Sequence, residues 1–209
     1  MREGNGKMDV FVRTFPLTML RKAMLTTVLS KVVSHAELNL RVIAHEDANQ
    51  MLFELRDVEY LSGHGFWNAS RIYADKNAIS PVYALLDDDH LPIGREWFAE
   101  GARLLDLFPN YRIISSVSVC GEVHPDGGDS DVCETGCCGT PYFARAGTLH
   151  GFFPPCEISE ADLVASREMT KVGKIGFGRK LRHNHLGFGF SQAVPGWWET
   201  MGRPAWRTS

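Results

Sequence analysis

Residues 81–92 read PVYALLDDDHLP, and this stretch decides the fold. Pro81–Leu86 is a continuous apolar run, the pattern of a strand with both faces covered, so it predicts a central strand of an α/β sheet. Asp87, Asp88 and Asp89 follow directly, at the carboxyl end of that strand, where sheets of this class bind their ligands. With a side-chain period of two, Asp87 and Asp89 project to one side and Asp88 to the other. Two carboxylates converging on one point repel, and a divalent cation relieves the repulsion. Mg2+ or Mn2+, held by one or two carboxylates and completed by substrate phosphates, suits this chemistry. The plainer alternative is a solvated acidic turn that caps the following helix.

The flanks extend the same pattern in both directions. Asp9–Thr14 is a β-rich run, and Pro16 opens a segment with Leu17, Leu20, Met24 and Val28 at helical spacing. Leu38–Ala44 is a second strand, followed by the acids Glu46 and Asp47 and a short helical stretch over 49–55. Beyond the triplet, Pro92 is expected to start a helix carrying Trp97, Gly101, Leu104 and Phe108 on one face, and Tyr111–Val119 is a further strand. Residues 121–139 are rich in Gly, Asp, Cys and Glu and read as loops over the sheet edge. Ser159–Lys171 reads as a helix. The glycines of the segment from Lys174 onward predict a mobile tail. Alternating strands and helices give an α/β fold, one domain over 1–209, with a largely parallel central sheet flanked by helices.

Composition narrows the class. The 209 residues are 44% hydrophobic and 22% charged with a net charge of −3, which excludes a disordered chain and a uniformly basic nucleic-acid coat. The polar start of the chain lacks the order of a secretory signal. The longest apolar helical candidate, Leu17–Val33, carries Arg21, Lys22 and Lys31 and falls short of a bilayer span. A cytoplasmic protein without a transmembrane segment is therefore expected. The five cysteines are an odd number, unsuited to a fully paired disulfide framework. Cys120, His124, Cys133 and Cys137 form a candidate set for structural Zn2+, against the alternative of free, partly buried thiols.

Five segments together resemble the nucleotide-sugar-dependent glycosyltransferases of the GT-A fold, especially the family-2-like group. They are VRTFP (12–16), IAHED (43–47), NASR (68–71), ALLDDDHLP (84–92), and TGCCGTPYFARAGTLHGFF with SEADL (135–163). The resemblance implies a Rossmann-like GT-A domain and places residues by position. Thr14 and Phe15 match the turn that cradles the nucleobase, and Asp47, or its neighbour Glu46, matches the acid that reads it. Arg71 matches the basic residue before the third core strand. Asp87 matches the first acid of the triplet and is a metal candidate beside Asp89, the acid that holds the metal, and Asp88 lies near the ribose. A late histidine completes the metal site, and His183 and His185 both qualify. The family's Glu-Asp pair, whose Asp is the catalytic base, is not reproduced in Ser159-Glu160-Ala161-Asp162-Leu163. Asp162 is preferred as the base here, and Glu160 is the other candidate.

What this implies is a metal-dependent inverting transfer of a sugar from a nucleotide-diphosphate donor to an acceptor hydroxyl. The carboxylate base deprotonates the acceptor as it attacks the anomeric carbon. The acceptor stays open among a glycan, a small molecule and a hydroxymethylated base in phage-type DNA. From Lys171 the chain carries +6 and the remainder −9, with Phe177, Phe188, Phe190, Trp197, Trp198 and Trp206 interleaved among the basic residues. That segment reads as a solvated basic surface, a lid over the diphosphate, or a grip on a polyanionic acceptor. Two other functions compete. A nucleotidyltransferase would show a glycine-rich loop with a lysine after the first strand, and Arg13–Thr18 has no glycine. A zinc-stabilised binding module would hold zinc and turn over no nucleotide sugar.

Overall fold

A computed structural model describes residues 7–15, 19–46, 48, 58–61, 66–119, 130–136, 139–151 and 161–187. In chain order the elements are β1 (Met8–Thr14), α1 (Met19–Val33), β2 (Leu38–His45), β3 (Val58–Leu61), α2 (Phe66–Asn77), β4 (Val82–Asp87), β5 (His90–Ile93), α3 (Trp97–Leu107), β6 (Tyr111–Ser118), β7 (Val132–Glu134), β8 (Tyr142–Arg145), α4 (Ala161–Met169) and β9 (Lys174–His185). The strands make one sheet in the order β3-β2-β1-β4-β8-β6-β9-β5, with β7 also paired to β9. Strands β1, β2, β3, β4, β6 and β9 run one way, and β5, β7 and β8 run against them. The sheet is thus mostly parallel and flanked by helices, as the apolar run at its centre predicts.

All six residues of β4 are buried. Val82, Ala84 and Leu86 join one core layer, with Leu25 and Val28 of α1 and Trp97, Phe98 and Leu104 of α3. Tyr83 and Leu85 point into the other layer, with Phe66 and Ala74 of α2 and Ala165 and Met169 of α4. Both faces being covered is why the run shows no polar alternation. Among the described residues no helix is long and apolar enough to cross a membrane.

Three expectations need correction. The loops read over 121–139 include a strand, β7, paired with β9. Pro92 does not open a helix. It lies in β5, paired with His183, and α3 begins at Trp97. Because β5 ends the sheet, a residue without an N–H is tolerated there. The segment from Lys174 is not a mobile tail over its described part, since 174–185 form β9. Its glycines serve close packing. A Cβ on Gly176 would lie 2.7 Å from the Cys133 carbonyl oxygen, and one on Gly178 would lie 2.7 Å from Leu181 and 2.8 Å from Leu104. The helical stretch expected over 49–55 lies outside the described residues.

Candidate functional site

The acid triplet sits where β4 turns into β5, and the sheet itself delivers the late histidines to it. Strand β5 is antiparallel to β9, with His90 opposite His185 and Pro92 opposite His183. The Leu186 N–H donates to the Asp89 carbonyl at 2.7 Å and closes this junction. One carboxylate oxygen of Asp89 and one ring nitrogen each of His90 and His185 lie within 4.8 Å of one another. His185 Nε2 is 3.3 Å from Asp89 Oδ2, and His90 Nε2 is 3.8 Å from Oδ1. His183 packs behind them, its ring centroid 4.9 Å from that of His90, with its Nδ1 2.5 Å from the hydroxyl of Ser116.

The electrostatics suit a cation. Burial would raise the Asp89 carboxyl, but the His185 hydrogen bond and the nearby His90, His185 and Arg21 hold it well below the usual carboxylate range. Burial lowers His90, and it pushes His183 down to about 2, so both rings are neutral at pH 7. An ionised carboxylate and a neutral imidazole are the forms that ligate metals, so the donor set fits a divalent ion.

The other two acids of the triplet are committed to arginines. Arg13 on β1 is buried and forms a bidentate pair with Asp87: Nε donates to Oδ1, and Nη2 donates to Oδ2 at 3.1 Å. Its remaining donors reach the Thr140 hydroxyl at 3.0 Å and the Trp67 carbonyl at 3.2 Å, and its guanidinium lies 3.6 Å from the Trp67 ring centroid. Thr140 Oγ1 also donates to Asp87 at 2.6 Å. Burial raises the Asp87 carboxyl, yet Arg13 and His90 bring it below its ordinary value. Asp88 is wholly buried. Its Oδ2 accepts from Thr14 Oγ1 at 2.6 Å and Arg21 Nε at 2.7 Å, and its Oδ1 accepts from Arg21 Nη2 at 3.0 Å. Burial outweighs these partners and raises the Asp88 carboxyl.

The remaining candidates fall in three groups. Thr14 and Phe15 are buried at the end of β1, with Phe15 enclosed by Phe66 at 4.7 Å, Trp67 at 4.5 Å and His45 at 6.4 Å between centroids. Arg71 is buried on the same helix as Trp67 and donates to Asn68 Oδ1 at 2.8 Å. Glu46 is exposed just past β2. Asp47 and Glu160 lie outside the described residues, and Asp162 is in the first turn of α4 with its side chain outside them. Of the candidate zinc set only Cys133 is described. It sits half-buried on β7, while Cys120, His124 and Cys137 lie outside.

Sequence reasoning missed His90, Arg13, Arg21, Thr140 and Trp67. His90 adjoins the triplet, and Arg13 lies in the quoted VRTFP segment. A search for cations able to balance three buried acids would have flagged both arginines.

Neither a family model nor a curated protein matches the sequence. Solved structures of S. aureus TarS share the fold. TarS 1-349 aligns with a TM-score of 0.61 at 14% identity, covering 87% of this chain and 60% of that one. Its complex with UDP-GlcNAc aligns at 0.59 and 15% identity, covering 93% and 64%, and its complex with UDP at 0.61 and 15%, covering 85% and 59%. The chain therefore spans less than two thirds of the length of these structures. At this identity the likeness establishes the fold, a GT-A-like α/β domain.

Proposed function

We propose that the protein is a single-domain, metal-dependent glycosyltransferase that moves a sugar, with inversion, from a nucleoside-diphosphate sugar to an acceptor hydroxyl. The observation that carries this reading is the Asp89–His90–His185 cluster at the carboxyl end of β4. It occupies the binding edge of a fold shared with a protein crystallised with UDP-GlcNAc and UDP. A set of one carboxylate and two imidazoles suits Mn2+ better than Mg2+, which prefers oxygen ligands throughout. When bound, a divalent ion supplies Lewis-acid neutralisation of the departing diphosphate.

In this reading Asp89, His90 and His185 hold the ion, and His183, anchored by Ser116, fixes the His90 ring. Thr14, Phe15, Arg71 and the acids Glu46 and Asp47 face the nucleotide, with Asp88 towards the ribose. Asp87 shapes the floor through Arg13 instead of holding the ion. Asp162 on α4 is the preferred base, with Glu160 as the alternative. The acceptor is a glycan, a small molecule or a hydroxymethylated DNA base. Two basic residues of β9 favour the solvated reading of that strand over a polyanion grip: Lys174 pairs with Glu134 at 2.6 Å, and Lys180 lies 3.7 Å from Asp131.

The test is a screen of nucleotide sugars, UDP-GlcNAc first, with Mn2+ or Mg2+ and mass-spectrometric detection on the three acceptor classes. Mn2+-dependent donor turnover that disappears in folded Asp89→Ala supports the proposal. Full turnover in that variant, or none with any nucleotide sugar in the wild type, overturns it.

A further inference from the structure

Arg21 has no role in the reading above, yet it stands at the entrance to the groups that reading assigns to the nucleotide. It rises from the first turns of α1, and its guanidinium closes on both oxygens of Asp88. The same guanidinium lies 5.1 Å from the Phe15 ring centroid, completing the enclosure made by Phe66, Trp67 and His45. Thr14 and Asp88 have no exposure and Phe15 has 6%, whereas the Arg21 side chain keeps 15%. Arg21 is thus the rim of this group and the other three are its interior. The arginine paired with Asp87 differs. Arg13 is pinned by Asp87, Thr140 and Trp67 and is 1% exposed, so it is part of the floor.

A ligand that sets a base against Phe15 and a ribose hydroxyl on Asp88 must move Arg21 aside. The displaced guanidinium keeps its charge and cannot stay in a desolvated pocket without an anion. The next anion along a nucleotide after the ribose is its diphosphate, and a planar fork of N–H donors matches phosphate oxygens in bidentate fashion. We propose that Arg21 is a diphosphate latch: it closes on Asp88 in the absence of nucleotide and transfers to the phosphate oxygens when the ribose takes its place. The inference rests on the nucleotide-sugar reading and assigns to this arginine the preference for a nucleoside diphosphate over the bare nucleoside.

The test compares the affinities of UDP and uridine for the 209-residue chain with saturating Mn2+, by calorimetry. The ratio of the two cancels whatever Asp88 contributes to the ribose. Arg21→Gln is expected to lower that ratio about tenfold or more, the scale of a charge-assisted bond, while uridine affinity holds or improves. Asp88→Asn, which loosens the latch from its other side, is expected to hold or raise the ratio. If Arg21→Gln fails to fold, judged by thermal melting, the Arg21→Gln/Asp88→Asn double variant removes both charges of the pair and carries the same expectation of a lowered ratio. An unchanged ratio without Arg21, or a ratio lowered alike in Arg21→Gln and Asp88→Asn, makes the pair purely structural and overturns the latch. Wild type that binds neither compound brings down the nucleotide-sugar reading itself, and the latch with it.

Discussion

Replacing Arg13 by Met tests whether the floor of the site is an ion pair or merely a filled space. Met keeps most of the aliphatic stem and removes four contacts: two bonds to Asp87, one to Thr140 and one to the Trp67 carbonyl. It also removes the stacking on the Trp67 ring at 3.6 Å. Asp87 keeps the Thr140 hydroxyl at 2.6 Å as its remaining side-chain donor but loses its counter-ion. Breaking a buried pair from one side costs about 3–5 kcal/mol, and the Asp87 carboxylate left behind accounts for most of it. Asp87→Asn is milder, about 1–3 kcal/mol, because Arg13 retains Thr140 and Trp67 as acceptors. Arg13→Met combined with Asp87→Leu leaves neither charge behind and is expected to cost less than Arg13→Met alone, a coupling of at least about 2 kcal/mol. Urea denaturation followed by far-ultraviolet circular dichroism reads these differences, provided the slopes agree among variants. A cost below about 1 kcal/mol for Arg13→Met, or a double variant equal to the sum of its singles, would refute the reasoning.

Three further outcomes are expected. In Mn2+ titrations followed by electron paramagnetic resonance, His90→Ala and His185→Ala should each weaken binding by at least the roughly 10–100-fold lost with an outer-shell partner. Burial pushes Tyr142 up to about 12 and also raises Tyr83, so the unfolded chain, with tyrosines near 10, loses these protons first. Stability is then fully present below about pH 10 and falls as pH rises from there towards 12, and Tyr142→Phe should flatten the decline by up to about 1.4 kcal/mol per pH unit. Gly101→Ala places a Cβ 2.3 Å from the Phe143 ring, an overpacking worth about 1–3 kcal/mol, and should lower the melting temperature by several degrees.

What the sequence displayed depended on how local each signal was. Strand β4 was legible because burial on both faces leaves an unbroken apolar run, and the triplet because it follows that run directly. β1 was legible by its β-branched and aromatic residues, and α1 by apolar residues three and four apart. Strand β5 was hidden by Pro92, which marks a helix start as readily as an edge strand. The glycines of β9 resembled a mobile tail, since close approach to Cys133, Leu104 and Leu181 cannot be read from spacing. His90 acquires meaning only from pairing with His185, 95 positions away. Arg21 entered the sequence reading solely as a charge that spoils a membrane helix, because its partner lies in the turn between β4 and β5, 67 positions later.

The triplet's electrostatics connect these pieces. Three adjacent buried carboxylates would be prohibitive alone, and the fold answers two of them with Arg13 and Arg21. The third, Asp89, faces imidazoles, and burial keeps His90 from supplying a positive charge. Asp89 is thus the acid of the triplet that hydrogen-bonds to no arginine, and it lies where β5 and β9 converge. A divalent ion there would add positive charge to the site, and a diphosphate is a complementary occupant. The two arginines also make the pocket independent of the ion for its folding, because Asp87 and Asp88 are neutralised without it. Metal removal should accordingly abolish donor binding while leaving the melting temperature within a few degrees of its original value. A collapse of the fold on chelation would mean that the ion, and not Arg13 and Arg21, holds the triplet together.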